Sequence, residues 1–169
     1  MEKERRTTWL LLIIYMIILT WIILFKMEFS FGNLPHIRNI NLIPFRESVI
    51  VNERIDFDEI FNNLLVFIPI GIYVAMLKTN WNIFKKIIPA IVISLSFETL
   101  QFIFGIGASD ITDLIMNTLG GAAGVGIGVG LLKVLKGKGN RILNILASIC
   151  TVLIIGFMIL ILTVTQTGK

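Results

Sequence analysis

Of 169 residues, 56% are hydrophobic and only 15% charged, against about 25% charged in a typical soluble domain, so the chain reads as an integral membrane protein with no room inside it for a separate soluble domain. The net charge of +4 does not indicate nucleic-acid binding, because the cations flank apolar stretches instead of forming a basic stripe; they read as orienting charges in contact with anionic lipid. The single cysteine, Cys150, excludes an intrachain disulfide, and its apolar neighbourhood makes it an inert thiol.

A charged leader, MEKERR, precedes the first apolar span at residues 8–25, with Trp9 and Trp21 toward its ends as interfacial anchors. A signal peptide has a shorter apolar region and a small-residue cleavage site, so this segment is expected to be retained as a membrane helix. Residues 26–58 form the longest connection and carry His36, Arg38, Arg46 and Arg54, with Pro35 and Pro44 opposing a continuous helix. Leu42, Ile43 and Phe45 are apolar enough to dip into the interface or pack on the bundle. A connection of this length is expected to be functional or partly ordered.

The second span, residues 60–77, has Asn62 and Asn63 in its first turns and Pro69 and Gly71 near its middle, where neighbouring helices must satisfy the freed backbone groups. Lys78, Trp81, Lys85 and Lys86 mark a membrane surface before the third span, residues 87–104. The fourth span, residues 113–135, places Gly120, Gly124 and Gly128 four apart, a spacing that lets another helix approach closely. Its glycines follow no strand and open no phosphate-binding helix, so a dinucleotide site is excluded. After a basic loop at residues 136–141, the last span at residues 142–164 has no ionisable residue and reads as a plain anchor. The fold class is therefore all-α: a polytopic membrane bundle of about five transmembrane helices in a single domain.

The chemistry lies at the junction of spans three and four. Glu98 and Gln101 are three apart, and Asp110, Asp113 and Asn117 follow an i, i+3, i+7 pattern, so each set is expected on one helix face, with a tight loop bringing the faces together. Ionisable groups in a bilayer are costly and are paired or face a cavity. Ten of the fifteen Lys and Arg residues fall on the amino-terminal side of an alternating five-span topology. The amino terminus is thus expected in the cytoplasm, with the acids and the 26–58 loop extracytoplasmic. Arg38 and Arg46 are then candidate partners for the acids.

Three blocks carry a resemblance. Residues 38–45, RNINLIPF, are similar to an R-x-x-N-L-x-P-F signature; Asn63 to Gly71 to N-x-x-x-F-x-P-x-G; and residues 98–117 to E-x-x-Q followed by D-I-x-D-x-x-x-N-T-x-G. In this order and on these spans, the chain resembles the VanZ-like membrane proteins, over about residues 10 to 135. One departure is Gly107-Ala108-Ser109, where many members carry an arginine just before the first aspartate of the last block. The resemblance implies a multi-pass protein of the bacterial cytoplasmic membrane, of a family whose namesake lowers susceptibility to teicoplanin.

Two uses of the polar residues stay open beside plain interhelical pairing. One is binding of an outer-leaflet lipid headgroup, cell-wall precursor or lipophilic glycopeptide through Arg38, Asn41, Arg46, Asn63, Glu98, Gln101, Asp110, Asp113 and Asn117, with the arginines meeting phosphate or carboxylate. The other is a small membrane enzyme acting on a lipid-linked phosphate with Glu98, Asp110 and Asp113. Binding is favoured, since such an enzyme shows denser motifs. Serine chemistry is disfavoured because His36 is the sole histidine. No cofactor or metal site is read in the chain, and the expected partners are membrane lipids and a lipid-linked or glycopeptide ligand.

Overall fold

The computed structural model describes residues 2–25, 37–45, 50–51, 54–55 and 57–167. It contains α1 (Glu2–Ile23), β1 (Ile37–Asn41), β2 (Ile50–Val51), β3 (Arg54–Ile55), α2 (Phe57–Leu77), α3 (Ile83–Phe104), β4 (Ile106–Asp110), α4 (Ile111–Leu135), a 3-10 turn at Lys136–Lys138 and α5 (Gly139–Thr167). The protein is an all-α bundle with two short strand pairs on its connections. At about 1.5 Å per residue, every helix is long enough for a hydrocarbon core of about 30 Å.

Four stretches are long and apolar enough to cross a membrane, by length and composition. The last of them, Ile111–Val164, runs for 54 residues, too long for one crossing. The backbone divides it at the 3-10 turn, where Lys136 takes φ 50°, and so it holds both α4 and α5.

Helix ends follow local chemistry. Glu2 and Glu4 place acids in the first turn of α1, where the helix dipole favours them. Asn82 caps α3 by accepting the Lys85 N–H at 2.8 Å. The same helix stops at Gly105, whose φ of 66° is the left-handed conformation that glycine adopts without a Cβ clash. Pro69 and Pro89 lie inside α2 and α3 without ending either helix.

The centre of the bundle is the pairing of α2 with α4, and small residues make it close. A Cβ at Gly120 would stand 2.0 Å from the Leu64 carbonyl oxygen, and one at Gly124 would stand 2.0 Å from that of Ile68. From the other side, a Cβ at Gly71 would meet the Gly121 oxygen at 2.1 Å. Backbone therefore lies directly on backbone, the arrangement that drives helix association where no hydrophobic effect operates. Around this pair, Leu19, Phe67, Ile70, Ala90 and Phe97 join α1, α2 and α3 in the main core. The Tyr15 hydroxyl on α1 donates to the Val66 carbonyl on α2.

The last helix is more than a plain anchor. Asn144 of α5 is 3% exposed; its Oδ1 accepts from the Thr8 hydroxyl at 2.9 Å and its Nδ2 donates to the Glu4 carbonyl at 2.9 Å. A polar clamp thus fastens α5 to α1 near their amino ends. Its far half presents Val152, Leu153, Phe157 and Leu160 outward.

The connection between α3 and α4 is a strand, not the bare tight loop the sequence suggests. Strand β4 pairs in parallel with β1, in register from Ile37 opposite Ile106 to Asn41 opposite Asp110. A second, antiparallel pair sets Ile50 against Ile55 and Val51 against Arg54. The β1–β4 ladder gathers the carboxyl end of α3 and the amino end of α4 at one end of the bundle. The α4–α5 turn lies at the other end, with Glu4 and Thr79.

Candidate functional site

Asp110 closes β4 and opens α4, and its three polar groups face three different directions. Its backbone is extended, with φ −124° and ψ 128°, and Oδ1 accepts the Thr112 N–H at 2.7 Å as an N-cap. Oδ2 accepts from Asn41 Nδ2 of β1 at 3.2 Å. The Asp110 N–H donates to Glu98 Oε2 of α3 at 2.9 Å. Asn41, Glu98 and Asp110 are all buried. One aspartate therefore joins a strand and two helices, each by a hydrogen bond that would be missed if left unmade in so dry a setting.

Residues that sequence reasoning did not single out complete this knot. The Ser109 hydroxyl donates to the Glu98 carbonyl. Thr112, 1% exposed, accepts the Phe45 N–H on its hydroxyl at 3.0 Å. That bond holds the chain after β1 in place where Phe45 takes φ 59°. Asn41 also turns its Oδ1 to the Ile43 N–H at 3.1 Å. The sequence did carry a usable signal for Asp110, since an aspartate just ahead of an apolar helical run is an N-cap signature.

The other candidates lie nearby but point elsewhere. Asn63 of α2 donates to Asp113 Oδ1 at 2.6 Å. Asn117 donates instead to Ser94 of α3 at 3.0 Å. Gln101 donates to the Ile23 carbonyl at the end of α1 at 3.2 Å, leaving its Oε1 buried without a partner. The expected common faces are thus split: Asp113 turns to α2 and Asn117 to α3, while Glu98 turns to β4 and Gln101 to α1. Arg38 stands opposite Gly107 in the ladder, with its side chain outside the described residues. Arg46 and His36 lie outside them altogether. Leu42, Ile43 and Phe45 are exposed instead of packed on the bundle.

Beside the knot a cavity of about 260 Å³ opens between β1, β4, α3 and α4. Asn41, Glu98, Ser109 and Asp110 form its polar floor. Its walls are apolar, and Ile40, Leu42, Leu95 and Phe102 continue from it onto the outer surface, with Leu42 73% exposed. Ligand pockets usually run about 300–1,000 Å³, so this groove suits a headgroup or a length of alkyl chain and not a whole large amphiphile. Most of its floor oxygens already accept within the knot, and their second lone pairs are what remain for hydroxyl, amide or amine donors. Asp113 does not line it. Among the described residues, no group of three or more His, Cys, Asp or Glu is placed to hold a metal ion.

Comparison with known proteins gives two matches. The VanZ/LLP1 family model matches residues 12–136, a range that takes in the ladder, the knot and the groove. Protein VanZ of Enterococcus faecium is 34% identical over 154 residues, covering 90% of this chain and 87% of that protein. No solved structure matches the chain.

Proposed function

The chain belongs to the VanZ/LLP1 family, and from that membership we propose that it is a non-enzymatic membrane protein of the bacterial cell envelope, binding an amphiphile at the β1–β4 groove. The ligand class is an outer-leaflet lipid, a cell-wall precursor or a lipophilic glycopeptide, and the consequence is a contribution to teicoplanin-type resistance. One observation carries the reading: hydrogen-bonding oxygens of Asn41, Glu98 and Asp110 floor a groove whose apolar walls run out to the surface. An alkyl chain along Leu95 and Phe102 would stay in an apolar setting while its polar end reached those oxygens. The Lys and Arg bias of the connections supports an extracytoplasmic position for this end.

A photo-crosslinker at Leu95, in protein reconstituted into lipid nanodiscs, tests the reading. Saturable adducts with a lipophilic glycopeptide, a cell-wall precursor or a membrane lipid, absent with the crosslinker at the outward Ile149, are the expected result. If Leu95 and Ile149 label alike with all three ligands, the groove is not a binding site. Phosphate release from a lipid-linked phosphate, lost in Asp110→Asn, would make the site an enzyme's.

A further inference from the structure

The geometry points to a second ligand site at the opposite end of the bundle: an anion site for a phosphate group, built on the turn between α4 and α5. A cavity of about 500 Å³ opens there, lined by Lys136, Lys138, Arg141, Asn140, Thr79 and Glu4 among others. Its size falls within the usual range for ligand pockets. It shares no lining residue with the groove at the acidic end.

Three features select the chemistry. Lys136, Lys138 and Arg141 place three cations around one opening, and the one ion pair among the described residues is Arg6 with Glu2, so none of the three is neutralised within the described chain. The single carboxyl group of the lining, Glu4, is already engaged by Asn144 Nδ2 at 3.1 Å. The 29-residue α5 begins at Gly139, between the lining residues Lys138 and Asn140. Its dipole adds to the same field, although the Gly139 N–H is itself bonded to the Lys136 carbonyl.

A fourth cation stands close behind. Lys86 of α3 is 7% exposed, and its ammonium donates to the Thr79 carbonyl at 3.4 Å. That long contact is its one hydrogen bond among the described residues, so a buried cation next to the lining is only weakly compensated. Arginine recognises phosphate with a two-pronged fork and lysine as a point charge. Leu132 in the lining and the exposed Val134 nearby set apolar surface beside the charges. A phosphate carried by a membrane lipid meets both surfaces, whereas a free phosphate meets only the first.

Native mass spectrometry in an uncharged detergent, with phosphatidylglycerol and phosphatidylcholine added in equal amounts, tests the site. The cavity triple variant Lys136→Gln/Lys138→Gln/Arg141→Gln should lose about tenfold or more of the preference for phosphatidylglycerol, since each basic residue near an anionic membrane surface contributes roughly fivefold. A charge-matched control, Lys3→Gln/Arg5→Gln/Lys85→Gln, should keep it. Both variants should melt with the unmodified protein, since all the substituted side chains are exposed. Equal losses in the two variants, or no preference in the unmodified protein, would overturn the site. Displacement of bound phosphatidylglycerol by inorganic phosphate would assign the site to soluble phosphates, and retention would assign it to the lipid headgroup.

Discussion

Asn41 and Asp110 face each other as the last register pair of the β1–β4 ladder, and their side chains are joined by a hydrogen bond of 3.2 Å. The same aspartate caps α4 and donates its backbone N–H to Glu98. A strand from the long connection is thereby locked to the start of one helix and the end of another. Asn41, Glu98 and Asp110, the members of this lock, also line the groove.

Removing the lock should cost stability in a graded way. Asp110→Ala deletes the cap and strands the Asn41 amide, for about 2–4 kcal/mol in all. Asp110→Asn keeps one oxygen for the cap but turns an amide donor toward the Asn41 amide, and so should lose less than the alanine variant but not nothing. Thermal unfolding in detergent, followed by tryptophan fluorescence, should rank the proteins in the order unmodified, Asn, Ala.

Close packing of α2 on α4 predicts a contrast between two glycines two residues apart. Gly124→Ala would push a methyl group against the Ile68 carbonyl, whereas a Cβ at Gly126 meets nothing within 4 Å. Gly124→Ala should destabilise by about 1–3 kcal/mol, and Gly126→Ala should be neutral or stabilising by up to about 1 kcal/mol. Chemical unfolding of the two variants in mixed micelles measures the difference.

The clamp between α1 and α5 should show as energetic coupling. In a double-mutant cycle of Thr8→Ala and Asn144→Ala, the combined loss should differ from the sum of the single losses by roughly 0.5–2 kcal/mol. Strict additivity would mean that the 2.9 Å contact carries no net energy.

Filling the groove should block it without touching a polar group. Leu95→Trp adds bulk on a wall that is 53% exposed and should weaken binding of a lipophilic ligand by about tenfold or more. Ile149→Trp, on the outward face of α5, should leave it unchanged. Titration of reconstituted protein with a fluorescent lipoglycopeptide reads both.

Topology is open to direct labelling. In a Cys150→Ser background, an impermeant maleimide should reach Leu42→Cys in intact cells, and Gly137→Cys only after permeabilisation. The reverse pattern would place the groove in the cytoplasm.

The helical spans were legible because an apolar run of that length has few other fates, and the glycine spacing of α4 announced a close neighbour. Strand β4 was not legible. IGASD lacks the alternation that marks a strand, and its partner lies far back in the chain, so only the tertiary fold makes the pairing visible. The i, i+3, i+7 reading of Asp110, Asp113 and Asn117 assumed one face and one neighbour. In fact α4 is wedged between α2 and α3, and Asp110 stands just outside the helix as its cap. Asn144 escaped notice because a lone amide in an apolar span has no periodic signature; its meaning comes from Thr8, 136 residues away.

The ladder also constrains how the molecule is made. Its two strands are separated in the chain by α2 and α3, with Asn41 and Asp110 69 positions apart. A parallel pair cannot form through a short turn. The first strand must therefore wait, its edge unpaired, until two further helices have been made and the second strand has followed them. The groove is consequently a late product of biogenesis, and a chain stalled before the fourth helix would display an adhesive edge in place of the groove.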